Sequence, residues 1–263
     1  MKRVLVTGGA GFIGSHVVEA LLKQGDEVSV IDNFDPFYPE RLKRRALWKG
    51  ARLFENDIRD QDAMHAAFKA ARPEIVIHLA ALAGVRPSLE RPAAYMDVNV
   101  RGTACILEAA REAGTRRFIL GSSSSVYGPR QRPDLAIHKF SRKMLARQPI
   151  PFFGDGSSRR DYTYIDDIVQ GVLAACDAPL TWDVINLGGA HTTSLKELVQ
   201  LLEETLQAKA ILDRQPAQPG DVPLTSADLA HAGKVLGYAP RTPIREGLKK
   251  FAEWLAKEGR DWV

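Results

Sequence analysis

Val4-Leu5-Val6-Thr7-Gly8-Gly9-Ala10-Gly11-Phe12-Ile13-Gly14 decides the fold. Val4–Thr7 is a short apolar run closed by glycines, the pattern of a parallel strand buried on both faces. Ile13–Lys23 follows with helical periodicity and stops at Gly25. Gly8, Gly11 and Gly14 therefore lie in the turn between a strand and a helix. Such a turn must be tight, must let backbone approach a pyrophosphate, and must let the helix pack close to the sheet. The next strand, Glu27–Ile31, ends at Asp32. A carboxylate there binds both ribose hydroxyls and repels a 2′-phosphate, which favours NAD over NADP. A ligand-free tight turn is the competing reading, and the whole constellation argues against it.

Outward from this unit, strands and helices alternate. Strands are predicted at Arg52–Glu55, Ile75–Leu79 and Arg117–Leu120, with helices at Asp60–Ala71 and Ala93–Ala113. That order means a doubly wound parallel α/β sheet. Helices are expected at Asp134–Arg147, Ile165–Cys176, Leu195–Leu206, Ala227–Leu236 and Ile244–Lys257. Short strands are expected at Ile150–Phe153, Val184–Leu187 and Ala210–Leu212. The predicted division is an NAD-binding Rossmann domain over 1–128 and a small mixed substrate lobe over 129–263. Residues 183–188 are expected to return to the main sheet.

Two further strand ends carry candidate chemistry. Asp57-Ile58 follows the third strand, where a carboxylate and a backbone group can read an adenine edge; an N-cap is the alternative. His78-Leu79-Ala80-Ala81 follows the fourth, where small residues let a cofactor lie flat, or simply form a small-residue turn.

Composition bounds the rest. The 263 residues, 45% of them hydrophobic, suffice for a sizeable core. The net charge of +4 is scattered and carries no aromatic-interleaved basic stripe, so nucleic-acid binding is not expected. Only Cys105 and Cys176 are present, far apart, which reads as buried thiols rather than a disulfide or metal site. Met1-Lys2-Arg3 runs straight into a strand and no apolar run is membrane-length, so a cytoplasmic protein with no membrane partner is expected.

Five motifs now stand together: Thr7–Gly14, His78–Ala81, Asp97-Val98-Asn99-Val100-Arg101-Gly102-Thr103, Ser122-Ser123-Ser124-Ser125-Val126-Tyr127-Gly128 and Arg160-Asp161-Tyr162-Thr163-Tyr164-Ile165-Asp166-Asp167. They resemble the extended short-chain dehydrogenase/reductases of the NAD-dependent epimerase/dehydratase family. Ala83–Arg86, Gly128–Asp134 and Gln218–Val222 resemble the UDP-glucuronate 4-epimerases within it. The likeness runs almost end to end. It implies an isomerase that removes hydride from sugar C4 onto NAD⁺ and returns it to the other face. It implies cofactor contacts at Gly8, Gly11, Phe12, Ile13, Gly14, Asp32, Asn33, Asp57, Ile58, Leu79, Ala80, Ala81 and Asn99. On the substrate side it implies Arg160 for the diphosphate and Asp221 for the ribose or its loop. Arg86 and Arg132 are candidates for a diphosphate or a uronate carboxylate, or for loop salt bridges. Leu82 stands where that subfamily carries Gln.

The family's acid/base is a Tyr-x-x-x-Lys pair on one helical face, where the ammonium lowers the phenol's pKa. A serine completes the relay; Ser123 matches its position and Ser124 is the alternative. The pair is absent here. The residues four after Tyr38, Tyr95, Tyr127, Tyr162, Tyr164 and Tyr238 are Leu42, Asn99, Gln131, Asp166, Ile168 and Thr242. In the family Val-Tyr-Gly occurs twice, and here Val126-Tyr127-Gly128 serves for both copies. An internal deletion of roughly 45 residues, one αβ crossover in length, explains this. The sheet is then short by one strand and one helix. Val184–Leu187 must pair with the fifth strand or remain an edge. Tyr127 with Lys139 or Lys143 is the candidate for a rebuilt pair; surface lysines on an amphipathic helix are the alternative.

The family's usual dimer pairs the long fourth helix with the catalytic helix, so a monomer or a rearranged homodimer is expected. Three functions compete: a nucleotide-sugar 4-epimerase with an improvised site, a silent relative holding NAD and a UDP-sugar, and a deletion product without a function of its own.

Overall fold

A computed structural model describes residues 1–45, 49–122, 125–217 and 222–259. Contacts divide the chain into two compact units, Met1–Ser122 and Ser123–Val263.

The first unit is a five-stranded parallel sheet in the order β3-β2-β1-β4-β5. Its strands are β1 (Arg3–Thr7), β2 (Glu27–Ile31), β3 (Arg52–Phe54), β4 (Ile75–His78) and β5 (Arg117–Leu120). Helix α1 (Phe12–Lys23) connects β1 to β2, and the short α2 (Glu40–Arg45) lies between β2 and β3. Helix α3 (Gln61–Ala71) connects β3 to β4. Leu5, Ile31 and Val76 of the sheet share a buried cluster with Met64 and Phe68 of α3 and with Cys105 and Ile106 further on. Neighbouring residues point to the opposite face. There an added Cβ on Gly9 would strike Val30 and Val18, which sets β2 hard against α1.

The expected single helix over Ala93–Ala113 has structure within it. After α4 (Val85–Glu90) come α5 (Pro92–Met96), a π turn over Asp97–Gly102, and α6 (Thr103–Glu112). Such an insertion re-aims the side chains it carries. Met96, Val100 and Leu107 of this run are 60%, 55% and 46% exposed.

The second unit contains a three-stranded sheet, β6-β8-β9, and a two-stranded one, β10-β7. Strand β6 (Ser125–Tyr127) runs parallel to β8 (Arg159–Tyr164), with Val126 opposite Thr163. Strand β9 (Thr192–Ser194) is antiparallel to β8, and β7 (Ile150–Phe153) is parallel to β10 (Leu212–Gln215). The helices are α7 (Ala136–Leu145), α8 (Ile165–Asp177), α9 (Leu195–Leu206), α10 (Ala230–Leu236) and α11 (Ile244–Lys257). Ser194 and Glu197 close a reciprocal capping box on α9.

Two expectations are corrected. The division falls after Ser122, not Gly128. Residues 183–188 form no strand and do not return to the five-stranded sheet; Val184 within them and Trp182 beside them are 72% and 83% exposed. An apolar run becomes a strand only where a neighbour offers hydrogen bonds, and this run has none on either edge among the described residues.

Candidate functional site

The parallel register builds the site. Thr7 lies opposite Ile31 on one side and His78 on the other, so the three strands end together. Gly8, Asp32 and Leu79 follow these ends as neighbours at the carboxyl edge of the sheet, where ligands of open α/β sheets bind.

Gly8 has φ +68° and donates to Ile31 O at 2.8 Å, and its own carbonyl accepts from Gly11 N at 3.0 Å. A Cβ on Gly8 would meet Ala80 N at 2.8 Å, and one on Gly14 would meet Gly8 O at 2.1 Å. Only glycine allows this turn to close. Helix α1 begins at Phe12 with no side chain capping it and no acid in its first turn. Its opening N–H groups and dipole therefore suit an anion. Phe12 is itself buried and packs edge-on to His16, whereas Ile13 is half-buried.

Asp32 is buried and tied on both oxygens. Oδ2 accepts from Ala10 N at 3.0 Å and Oδ1 from Phe34 N at 2.9 Å. Each carboxylate oxygen keeps a further lone pair for a ribose hydroxyl. The loop after β4 is held from the π turn: Asn99 Oδ1 accepts from Leu82 N at 2.8 Å and Asn99 Nδ2 donates to Leu82 O at 2.9 Å. Asn99 thus grips the backbone beside Leu79, Ala80 and Ala81. The uncapped helix, the cradle that any Cβ would fill and the anchored carboxylate together fit a dinucleotide.

Asp57 is otherwise engaged. Its oxygens accept from Arg59 Nε at 2.9 Å, Arg59 Nη2 at 2.8 Å and Asn33 Nδ2 at 3.0 Å. The bonded guanidinium of Arg59 holds its pKa down at about 2. Arg59 also reaches Asp97 at 2.8 Å, and Asp97 reaches Arg101 at 2.6 Å, so this edge is locked by ion pairs. The N-cap of α3 is Asp60 rather than Asp57. Ile58 points into the core, where a Cβ on Gly102 would come within 2.7 Å of it, and only its backbone is left to face a ligand. The Arg59 link escaped the sequence reading, because nothing local marks Asp97 as its partner.

Tyr127, the candidate base, is corrected to a core residue of the second unit. It has no exposed surface, and its ring packs edge-on against Tyr164 at 5.5 Å and Tyr162 at 6.5 Å. Its hydroxyl donates to Ile244 O at 3.4 Å and lies where a Cβ on Gly247 would fall. Burial, then the neighbouring Tyr164, Asp167 and Glu246, push its pKa far above the usual phenol value. Lys143 does not face it but donates to Pro149 O at 2.9 Å, and Lys139 lies one turn earlier on α7. Ser123, Ser124 and Asp221 fall outside the described residues.

Of the substrate arginines, Arg132 forms a two-pronged pair with Asp134, Nε to Oδ1 at 3.1 Å and Nη2 to Oδ2 at 2.7 Å. That is the loop salt bridge named above as its alternative. Arg160 is half-buried on β8 and donates to Arg159 O at 2.9 Å. Arg86 is exposed on α4, in the other unit. Beside Arg160, Asp161 accepts from Gly189 N at 2.6 Å and Ala227 N at 3.2 Å, pinning two loops of the second unit.

A doubly wound unit with this glycine cradle and a buried carboxylate at the next strand end defines a dinucleotide-binding protein. Comparison with known proteins narrows the class. The profile of the NAD dependent epimerase/dehydratase family matches residues 4–136 and again 128–188, and the chain belongs to that family. A UDP-glucuronate 4-epimerase of Thermodesulfobacterium geofontis is 34% identical over 311 aligned positions, covering 97% of this chain and 96% of the relative. The UDP-glucose 4-epimerase of Thermotoga maritima, solved with UDP-glucose, superposes with TM-score 0.90 at 30% identity, covering 97% and 98% of the two chains. The UDP-glucuronic acid 4-epimerase of Bacillus cereus, solved with UDP-glucuronic acid and NAD, gives TM-score 0.89 at 29% identity, covering 97% and 99%.

Proposed function

We propose that the first unit holds NAD as the Bacillus cereus enzyme does, and that the chain descends from a UDP-sugar 4-epimerase whose acid/base segment has been deleted. The observation that carries the first half is the convergence of Gly8–Gly14, the α1 N-terminus and Asp32 at adjacent strand ends. The second half is supported by the alignment itself. Its 311 positions exceed the 263 residues of the chain, so at least 48 of them (311 less 263) have no counterpart here. The two profile matches overlap at 128–136, the point where the repeated Val-Tyr-Gly is fused.

When bound, NAD supplies a reversible hydride acceptor. The protein's part is to seat the pyrophosphate on the α1 N–H groups, to fix the adenosine ribose on Asp32, and to take the C4 hydroxyl proton. It performs the first two and has lost the third. A phenol of ordinary pKa is ionised in only about one molecule in a thousand at pH 7, and burial takes Tyr127 well below that. A general base contributes about 10²–10⁴-fold. The lost segment also carries the lysine that would hold the nicotinamide ribose, so with base and positioning both gone epimerisation falls at least about a thousandfold below an intact relative while the cofactor still binds. A UDP-sugar is the ligand of the second unit, with Arg160, Arg132 and Asp221 as its candidates. Assembly is monomeric or a rearranged homodimer through Met96, Val100 and Leu107.

Titration calorimetry with NAD⁺ tests the cofactor half. Asp32→Ala is expected to weaken NAD⁺ at least tenfold, about 1.4 kcal/mol. Tighter binding of NADP⁺ than of NAD⁺ by the native chain refutes it.

A further inference from the structure

His78 is almost fully buried at the end of β4, between Thr7 and Thr103. Nδ1 lies 2.6 Å from Thr7 Oγ1 and Nε2 lies 2.9 Å from Thr103 Oγ1. Counting donors sets the direction of each bond. The Thr103 hydroxyl donates to Asn99 O at 2.7 Å, so its proton is engaged and its oxygen accepts. Nε2 of His78 therefore carries the ring proton. Nδ1 is then a lone pair and accepts from the Thr7 hydroxyl. Thr7 Oγ1 in turn accepts from Leu79 N and Ala80 N, each at 3.2 Å. One ordered chain of hydrogen bonds runs from the π turn through the imidazole to the backbone of the 79–82 loop.

That chain ends at the atom that matters for the cradle. Ala80 N is what a Cβ on Gly8 would meet first, so Thr7 and His78 set the gap between the glycine turn and the loop facing it. The π turn holds the same loop a second time through Asn99 and Leu82. With 1% exposure, His78 cannot itself touch a ligand.

We infer that His78, as the Nε2–H tautomer, is the positioning residue that fixes the mutual placement of the two loops across which the dinucleotide lies. The inference rests on the cofactor reading above. Burial keeps the ring neutral by lowering its pKa to about 4, in agreement with a ring that accepts on one side and donates on the other.

Two measurements test it on the full chain. Nitrogen-15 NMR of the histidine rings is expected to show His78 protonated at Nε2 only; an Nδ1–H ring overturns the relay. Thr103→Val removes the acceptor without changing side-chain shape. It is expected to weaken NAD⁺ about tenfold at a temperature where the variant stays folded, and Thr103→Ser to restore affinity to within about twofold of native. A merely structural role lowers the melting temperature and leaves affinity alone, so Thr103→Val with native affinity overturns the positioning role. Native protein that shows the Nε2–H ring yet binds no NAD⁺ overturns the cofactor reading, and the positioning role with it, while the hydrogen-bond order stands.

Discussion

Replacing Gly14 by alanine tests the cradle through a single methyl group. An ideal Cβ there stands 2.1 Å from Gly8 O and 2.8 Å from both Gly8 C and Gly9 Cα, all backbone atoms. Gly8 has no room to retreat. Its N–H is bonded to Ile31 O, its carbonyl accepts from Gly11 N, and Ala80 N stands against its open side. The turn must shift by about 1 Å to restore van der Waals contact, and overpacking of this kind costs about 1–3 kcal/mol. Alanine's better helix propensity returns about 1 kcal/mol, so stability falls by about 1 kcal/mol net. The larger effect is on the ligand, because the turn that moves carries the N–H groups proposed to seat the pyrophosphate. NAD⁺ affinity is expected to drop more than tenfold, over 1.4 kcal/mol, by titration calorimetry. Gly25→Ala is the control. Gly25 has φ +82° with nothing within 4 Å of an added Cβ, so alanine strains the backbone and lowers the melting temperature without touching NAD⁺ affinity. Native affinity in Gly14→Ala refutes the cradle, whatever the melting temperature does.

Three further outcomes follow from the geometry. Tyr127→Phe removes a hydroxyl held only by a 3.4 Å bond to Ile244 O, so it costs under about 1 kcal/mol in denaturant unfolding. It leaves any residual turnover unchanged; a large loss of turnover refutes its assignment to the core. Acid unfolds the protein in a defined window. Burial lowers His78 and His138 from 6.5 to about 4, so between these values the unfolded chain binds the protons and the folded chain does not. Stability is full above pH 6.5 and declines by about 3 kcal/mol per histidine by pH 4. His78→Phe and His138→Phe should each flatten that decline, and an unchanged slope in both contradicts it. Where the rearranged homodimer forms, Met96, Val100 and Leu107 predict a concentration-dependent dimer in sedimentation that Val100→Lys dissolves; a dimer indifferent to that change places the interface elsewhere, and a monomer at every concentration leaves these side chains in water.

Much of the first unit was legible because its determinants are local. Val4–Gly14 carries its own strand, turn and helix signals, and Asp32 follows an apolar run that closes beside them. What failed to read was set by partners distant in sequence. Val184–Leu187 has the composition of a strand and, among the described residues, no strand to pair with. Tyr127 carries a motif's tyrosine, yet the rings of Tyr162 and Tyr164 and the bare face of Gly247 close over it. The π turn in the 92–112 helix depends on Asn99 and Thr103 meeting Leu82 and His78, contacts that no helical period records. For the same reason His78 read as part of a small-residue turn and not as the link between two loops.

We propose that this chain keeps the cofactor and has lost the base. That is tested most directly by incubating the purified protein with NAD⁺ and UDP-glucuronate, then with NAD⁺ and UDP-glucose, and resolving the C4 epimers. NAD⁺ binding is predicted in the same preparation, with epimer formation at least about a thousandfold slower than in an intact relative. Turnover at the relative's ordinary rate, abolished by Tyr127→Phe or Lys143→Ala, would contradict the account and establish a rebuilt active site.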